Sequence, residues 1–296
     1  LKELYTGDHF MKDLVYKKNP FLALIPKDES PQGMAGKYIP VPMIFAPSQG
    51  RSATFSNAQT NQNPATLRSF FVYRVSNYSL ATITNELLEA TAGDAGAFID
   101  EGKLQVDSAI RSISNDLAFD LFRSGTGSRG VIGVFAQNGV TASGTTITLQ
   151  DPQQIVNFEV NMLLVAANSD GGAPSADTVT ITNINRSTGL ILGTASAASL
   201  DAKFAVGGYL TVSGDVGSGG ATATGTDPQS TSTTGYFKVT GLSGWLPVNG
   251  PVSGESFWGV DRSADSTRLA GVNFNGTNES IEEGLIDAST LTAREG

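Results

Sequence analysis

The sequence has no cysteine and a single histidine, His9, in 296 residues. Without cysteine, a disulfide framework, a thiolate nucleophile and a cysteine-based zinc site are all excluded. Residues 1–13 carry too many charged and polar side chains for a signal peptide. No apolar run approaches the roughly 20 residues that a membrane-spanning helix needs. The sequence therefore gives no indication of thiol chemistry or of insertion into a membrane.

Charged residues are scarce as well, at 16% of the chain, and the formal net charge is −9 at pH 7. Tight binding to the DNA backbone needs clustered Lys and Arg, because their binding to phosphates releases counterions. The acidic balance therefore argues against tight DNA binding and indicates a protein that repels nucleic acid lying near it.

Glycine, in contrast, is abundant, with 34 residues, and hydrophobic residues make up 40% of the chain. A chain of this length and apolar content can bury a core, as one large domain or as two of ordinary size. With much Ser, Thr and Ala besides, the composition is typical of a β-rich, turn-rich protein rather than a helical bundle. We predict a mixed α+β fold.

The N-terminal third indicates an extended arm followed by a hairpin. Residues 1–36 alternate short apolar groups with prolines and predict an arm, and we expect residues before Leu1 to have been removed, since the chain does not begin with Met. Residues 37–45 predict a strand in which Pro40 and Pro42 lack donors, so it can only be an edge strand. Residues 67–83 predict its partner, with a polar tip between the two.

A hairpin of this length is not stable alone in water, because two strands bury too little apolar surface to offset the entropy of ordering them. It needs a partner surface. That surface is either the rest of its own chain or a neighbouring subunit, and the pattern leaves both open.

A long helix is predicted for residues 94–125, with Asp94 as N-cap and Gly125 as C-cap. Its apolar residues recur at helical spacing and its charged residues lie mostly on the other face. The apolar positions are Ile99, Val106, Ile110, Ile113, Leu117 and Leu121.

Residues 140–248 predict a small β-barrel or sandwich, because short β-type runs alternate there with turn clusters. Within this segment, residues 215–234 consist almost only of Gly, Ser, Thr, Ala and Asp, which is typical of a flexible loop. We interpret the whole segment as an insertion. After it, the sequence predicts extended segments over 255–263 and 269–274 and a helix over 280–294.

No motif points to catalysis or to a bound cofactor. The run at 125–130, GTGSRG, matches G-x-G-x-x-G, but it follows a predicted helix, whereas a dinucleotide fingerprint follows a strand and opens a helix. His9 has no Ser and Asp at the spacing of a known triad. We therefore predict that the protein is not an enzyme and has no catalytic residues, no cofactor and no metal.

Four stretches together resemble the major capsid proteins of tailed bacteriophages, of the Hong Kong 97 type. They are NPFLALIPKDE at 19–29, FFVYRVSNYSLATITNELLEA at 70–90, KLQVDSAIRSISNDLAFDLFRSGTGSRG at 103–130 and FWGVDRSADSTRLAGVNFNG at 257–276. These stretches cover about a quarter of the chain and are specific as a series, since none is a catalytic motif.

The resemblance implies that the chain is divided into five segments and that proteins of this type continue beyond the last of them. The implied segments are an N-terminal arm at 1–36, an extended E-loop at 37–80, a peripheral domain with the spine helix at 81–139, the inserted β-rich domain at 140–248 and a return to the peripheral domain at 249–296. Sequences of this kind continue into more of the peripheral domain and an axial domain, which we expect to be missing here.

The resemblance also implies what the protein does and what it contacts. It would be a structural subunit of the icosahedral head shell, made in the cytoplasm of the host bacterium and located in the virion. Its partners would be copies of itself in hexamers and pentamers, with scaffold, portal and decoration proteins as further candidates. It would enclose DNA without sequence-specific binding and without a membrane.

In capsids of this type the E-loop lies across the adjacent subunit, so the candidate inter-subunit contacts lie in the hairpin. They are Arg51, Phe55, Arg68, Phe71, Tyr73 and Arg74. Some members join subunits by a Lys to Asn isopeptide bond, but no Lys occurs between Ala46 and Leu80. We predict no such cross-link.

Two other classes remain open. The β-rich insert would also suit another phage structural protein, such as a tail or adhesin component, which would lack the long helix. A β-rich region with Trp245 and Trp258 would suit a carbohydrate-active enzyme or a carbohydrate-binding module, where a tryptophan face stacks on sugar.

Overall fold

The fold is mixed α+β, as predicted, and it is seen in a computed structural model of the chain. Residues 77–80 and 101–122 belong to one compact unit, and the remaining described residues belong to a second. The arm predicted for residues 1–36 lies outside the described residues. The structure describes residues 38–73, 75, 77–80, 101–141, 144–215, 238–247, 250, 251, 253, 256–272, 274, 276 and 280–295.

Strands β1 (Tyr38–Ala46) and β2 (Thr66–Tyr73) form the predicted antiparallel hairpin. The connection between them contains a short helix, α1 (Phe55–Thr60), where the sequence predicted only an irregular polar tip. Backbone hydrogen bonds in both directions between Gln49 and Asn63, at 3.1 and 2.7 Å, continue the pairing into this connection.

The two prolines of β1 lie where the hairpin does not need their missing N–H groups. Pro40 is opposite Phe71, whose own N–H donates to the Trp258 carbonyl at 2.9 Å instead of to β1. The Pro40–Phe71 pair is therefore a non-hydrogen-bonded pair, and Pro42, two residues on, is oriented alike. Both prolines thus remove donors from the outer edge of β1, and no other strand pairs with that edge among the described residues.

Helix α2 (Glu101–Asp120) carries the predicted spine and is on the order of 30 Å long at about 1.5 Å per residue. The predicted start at residues 94–100 lies outside the described residues. The predicted end at Gly125 is wrong, because the chain leaves the helix after Asp120. The N–H of Phe122 donates to Phe119, a tighter turn than the α-helical one, and Gly125 takes its left-handed φ of 90° only afterwards.

A closed barrel of six antiparallel strands follows, so of the two predicted architectures the barrel is the one observed. The strand order is β3-β4-β7-β6-β5-β8. The strands are β3 (Ser128–Gln137), β4 (Thr145–Leu149), β5 (Leu163–Ala167), β6 (Val179–Asn185), β7 (Leu190–Ala195) and β8 (Tyr209–Val212).

The barrel begins at Ser128, before the boundary predicted at residue 140. Strand β3 was not predicted, because Gly130 and Gly133 weaken the sequence pattern of a strand. Both glycines are required by close packing: a Cβ on Gly133 would lie 2.9 Å from the backbone of Gln150, and one on Gly130 would lie 3.1 Å from the Phe158 ring. The predicted flexible loop at 215–234 lies almost wholly outside the described residues.

The core of the barrel is apolar and is built from alternate residues of its strands, as the pleat of a sheet requires. Phe158, which follows a short 3₁₀ helix (Pro152–Asn157), lies fully buried in this core. The other buried core side chains are Ile132, Ile147, Leu149, Ile155, Leu164, Ala166, Val179, Ile181, Ile191, Phe204 and Leu210.

The C-terminal segment consists of short elements and one longer helix. They are α3 (Leu242–Trp245), the two-residue strands β9 (Ser256–Phe257) and β10 (Val260–Asp261), a 3₁₀ helix (Arg262–Asp265), α4 (Ser266–Ala270) and α5 (Ile281–Glu295). Helix α5 confirms the helix predicted for 280–294, whereas the extended segment predicted for 269–274 begins inside α4. Ser280 caps α5, since its Oγ accepts the N–H of Glu283 at 3.3 Å.

A second apolar cluster joins the C-terminal segment to the base of the hairpin. Phe70 of β2 is buried in it, with its ring 5.6 Å from that of Trp245 and tilted by 70°. Further members are Met43, Phe257, Trp258, Val260 and Leu269. The base of the hairpin therefore packs on its own chain.

Gly259 provides a test of how firmly this base is held. Its φ is +87°, and a Cβ there would lie 2.5 Å from Cδ2 of Phe71. Gly207 has nearly the same φ, +86°, with nothing within 4 Å of its Cβ position, so Gly207→Ala reports backbone strain alone. That strain costs about 1–2 kcal/mol. We expect Gly259→Ala to lower the free energy of unfolding by about 1–3 kcal/mol more than Gly207→Ala.

Denaturant titration of both variants measures this difference. Equal losses for the two variants would show that the Phe71 ring moves away freely and that the contact with Gly259 does not hold the hairpin.

Candidate functional site

The candidate site is the part of the hairpin that extends beyond the buried cluster, residues 44–68, which we call the distal hairpin. Ile44 and Leu67 are cross-strand partners on one face of it, and each is 65% exposed. Phe55, the first residue of α1, is 84% exposed. Single exposed apolar residues are common, but an exposed cross-strand apolar pair and an exposed aromatic ring on the same hairpin are typical of an interaction surface.

The distal hairpin is positively charged, in contrast to the chain as a whole. Residues 38–73 contain Arg51 and Arg68 and no Asp, Glu, Lys or His. Both arginines are exposed. An approaching acidic surface would therefore be attracted, because charge complementarity accelerates encounter and selects the partner.

Local hydrogen bonds give the distal hairpin a defined conformation. The Thr60 Oγ1 donates to the Ser56 carbonyl within α1 at 3.0 Å, and the Ala58 N–H donates to Thr54 at 3.0 Å. No residue of α1 is buried. Helix α1 is thus folded but contributes no side chain to a core. This fits a surface that serves a contact rather than stability.

The structure places three of the six predicted contact residues in the distal hairpin, namely Arg51, Phe55 and Arg68. Phe71 lies instead at the base, with its ring edge-on to that of Tyr38 at 4.9 Å and against Gly259, so it contacts its own chain. The backbone of Tyr73 pairs with that of Tyr38. Arg74 lies outside the described residues.

Sequence reasoning did not select Ile44 and Leu67. Ile44 lies in a run where apolar and aromatic residues follow one another, and Leu67 stands alone between Thr66 and Arg68, so alternation could not tell the exposed face from the buried one. The register that pairs these two residues places them beyond the buried cluster. A search for apolar residues next to the polar tip would have found them.

Trp245 and Trp258, on which a glycan site would rest, belong to the cluster beneath the hairpin. Trp258 is buried, and the ring of Trp245 packs edge-on to Phe257 at 5.0 Å. A buried indole cannot stack on a sugar ring, so Trp258 is not available as a sugar platform in this conformation.

The sequence motifs considered for chemistry have structural explanations. Gly125 and Gly127 have φ values of +90° and +80°, so the GTGSRG run is the turn that leads from α2 to β3. Among the described residues, no group of His, Asp and Glu side chains could hold a metal ion. No described helix has the length and apolar character to cross a membrane.

A polar cluster lies beside the barrel at the start of β3. Asp215 is 3.4 Å from the Nζ of Lys238 and 3.8 Å from the Nη2 of Arg129, and both cations are buried. Burial lowers the pKa of Arg123, Asp170 opposes that shift, and Arg129 adds to it. An arginine remains protonated at physiological pH, so Arg123 is not a proton-transfer group.

Comparison of the chain with models of protein families, with curated proteins and with solved structures finds no match. Function is therefore inferred from the sequence and from the geometry of the hairpin.

Proposed function

We propose that this protein is a structural subunit that forms a closed shell from many copies of itself, each copy placing its distal hairpin on a neighbour. More specifically, we propose a major capsid protein of a tailed bacteriophage with the Hong Kong 97-type fold. The observation that carries the proposal is a hairpin that is anchored at its base by buried aromatic rings and exposed at its distal end.

The exposed side chains are large enough to drive association. Burying a large apolar side chain contributes about 1.5–3 kcal/mol, so Ile44, Leu67 and Phe55 together contribute on the order of 5 kcal/mol to one contact. Association itself costs about 4–15 kcal/mol in lost freedom of motion. One hairpin contact is therefore weak alone, and a stable assembly needs many of them.

A head-to-tail arrangement supplies many such contacts. Because the hairpin and the surface that receives it are different patches, each subunit uses both, and the contacts form rings where the rotation closes. Hexamers and pentamers of a shell are rings of this kind. With no Lys between Ala46 and Leu80, this hairpin would hold its neighbour without an isopeptide bond.

The remaining features fit a shell that encloses DNA. The net charge of −9 favours a protein that does not adhere to packaged DNA, and no catalytic or cofactor role is needed. The proposed location is the virion, after synthesis in the host cytoplasm, with scaffold, portal and decoration proteins as further candidate partners. The barrel would be the inserted domain of the capsid fold.

The two rival classes have less support. A tail or adhesin component would lack a long helix, whereas α2 has 20 residues in its described part. A carbohydrate-binding module would need accessible tryptophans, whereas Trp258 is buried and Trp245 packs against Phe70 and Phe257.

Electron microscopy of the full chain at high concentration tests the proposal. We expect closed shells or rings of six and five subunits, and we expect them to disappear when residues 47–65 are replaced by a short Gly-Ser turn. The deletion removes no buried residue from the described core, so the variant should keep its fold and its circular dichroism spectrum.

A chain that forms shells equally well without residues 47–65 would contradict the proposed role of the hairpin. A chain that stays monomeric at every concentration, alone and with scaffold, would contradict the shell function itself.

A further inference from the structure

Helix α5 carries an apolar stripe that is exposed. Ile281 and Leu285, one turn apart, are 86% and 67% exposed, and Ala288 continues the same face by helical spacing. Ile286, nearby on the helix, is exposed as well. A helix that buried this face in its own subunit would not leave these side chains in solvent, so the face is suited to a contact with another molecule.

An acidic side chain borders the stripe, and two more lie behind it. Glu282 lies beside the stripe by helical geometry, whereas Glu283 and Asp287 lie toward the far face. All three are exposed. The partner that suits this surface is therefore an apolar one with positive charges beside it.

The distal hairpin of the same protein has these properties. It presents Ile44 and Leu67 as an apolar pair on one face and Arg51 in the connection, with no acidic residue anywhere in 38–73. Arg68 follows Leu67 on β2 and points to the opposite face, because side chains alternate along a strand. The two surfaces are complementary in both respects: apolar against apolar, and arginine against carboxylate. Such a match favours a second copy of this chain over a partner of unrelated chemistry.

We propose that α5 is the receiving surface for the distal hairpin of a neighbouring copy, with Ile44 and Leu67 packing on the stripe of Ile281 and Leu285, and with Arg51 facing Glu282. This inference rests on the proposed function and names the partner surface within it. Because α5 and the hairpin are different patches, the contact is head-to-tail and can close a ring.

Cysteine cross-linking tests the contact directly, because the natural chain has no cysteine and any disulfide must come from the introduced residues. An Ile44→Cys protein is mixed with a Leu285→Cys protein at assembling concentrations under mild oxidation. We expect a disulfide-linked dimer joining positions 44 and 285, at least about tenfold more abundant than in a mixture of Ile44→Cys with Val156→Cys, an exposed apolar position on the barrel.

Charge reversal gives an independent readout. Arg51→Glu alone should weaken association about tenfold, and Glu282→Arg alone should do the same, since each places like charges together. Mixing the two reversed proteins restores one attractive contact per pair, so the mixture should associate more strongly than either variant alone.

The outcomes separate this inference from the function on which it rests. If Ile44→Ser with Leu67→Ser abolishes assembly while position 44 links to 285 no better than to 156, the hairpin contact stands and α5 is not its partner. If Leu285→Cys links mainly to itself, the stripe pairs with another α5 and the inference is wrong. If hairpin substitutions leave assembly unchanged, the proposed role of the hairpin is wrong and this inference is wrong as well.

Discussion

Replacing Arg262 by Met lowers the free energy of unfolding by about 3–5 kcal/mol. The Arg262 side chain is buried, and its Nη1 donates to the carbonyls of Gly244 and Trp245, each at 3.0 Å. Its guanidinium also lies 3.7 Å from the centre of the Phe257 ring. Hydrogen bonds from a charged donor contribute about 1.5–3 kcal/mol each, and a desolvated cation–π contact about 2 kcal/mol. The cost of desolvating the guanidinium reduces their sum.

The two tryptophans make this measurement specific. Trp245 and Trp258 are the only tryptophans of the chain, and both belong to the cluster beside Arg262. Tryptophan fluorescence during denaturant titration therefore reports the base of the hairpin. Arg262→Lys keeps the positive charge but loses the planar guanidinium group. The free energy of unfolding should therefore fall by less than in Arg262→Met, but it should still fall.

Arg186→Met is the matched control. Arg186 is exposed and forms its 3.1 Å ion pair with Glu159 at the surface, so its loss should be less than about 1 kcal/mol. An Arg262→Met protein as stable as the Arg186→Met protein would show that Arg262 does not hold the hairpin base.

The described parts of the hairpin, the long helix and five of the six barrel strands could be predicted from the sequence, because each has a strong local pattern. Strand β3 could not be predicted, because Gly130 and Gly133 are there for contacts with Phe158 and Gln150, far along the chain. The end of α2 at Asp120 was missed for a related reason: Gly125 has the conformation of a helix cap but belongs to the next turn.

The candidate site was predicted only in part. Arg51, Phe55 and Arg68 stand out in sequence as charged or aromatic residues in a polar connection, and they lie in the distal hairpin. The exposure of Ile44 and Leu67 depends on strand register and on where the cluster around Phe70 ends, which local patterns do not contain.

The second large effect is on assembly. Replacing Ile44 and Leu67 together by Ser removes the apolar pair of the distal hairpin while leaving Phe70 and the buried cluster intact. We expect assembly to weaken by at least about 100-fold, since losing the burial of two large side chains corresponds to about 3 kcal/mol or more. Monomer stability should change by less than about 0.5 kcal/mol, because both side chains are exposed in the isolated chain.

Sedimentation velocity of three proteins is the most direct test of whether the distal hairpin joins subunits: the natural chain, Ile44→Ser with Leu67→Ser, and Val156→Ser with Val206→Ser. The last pair is exposed and apolar on the barrel and controls for the loss of surface hydrophobicity. We expect large assemblies for the natural chain and for the barrel variant, and only free subunits for the hairpin variant. Equal assembly of the hairpin and barrel variants would show that the distal hairpin does not join subunits.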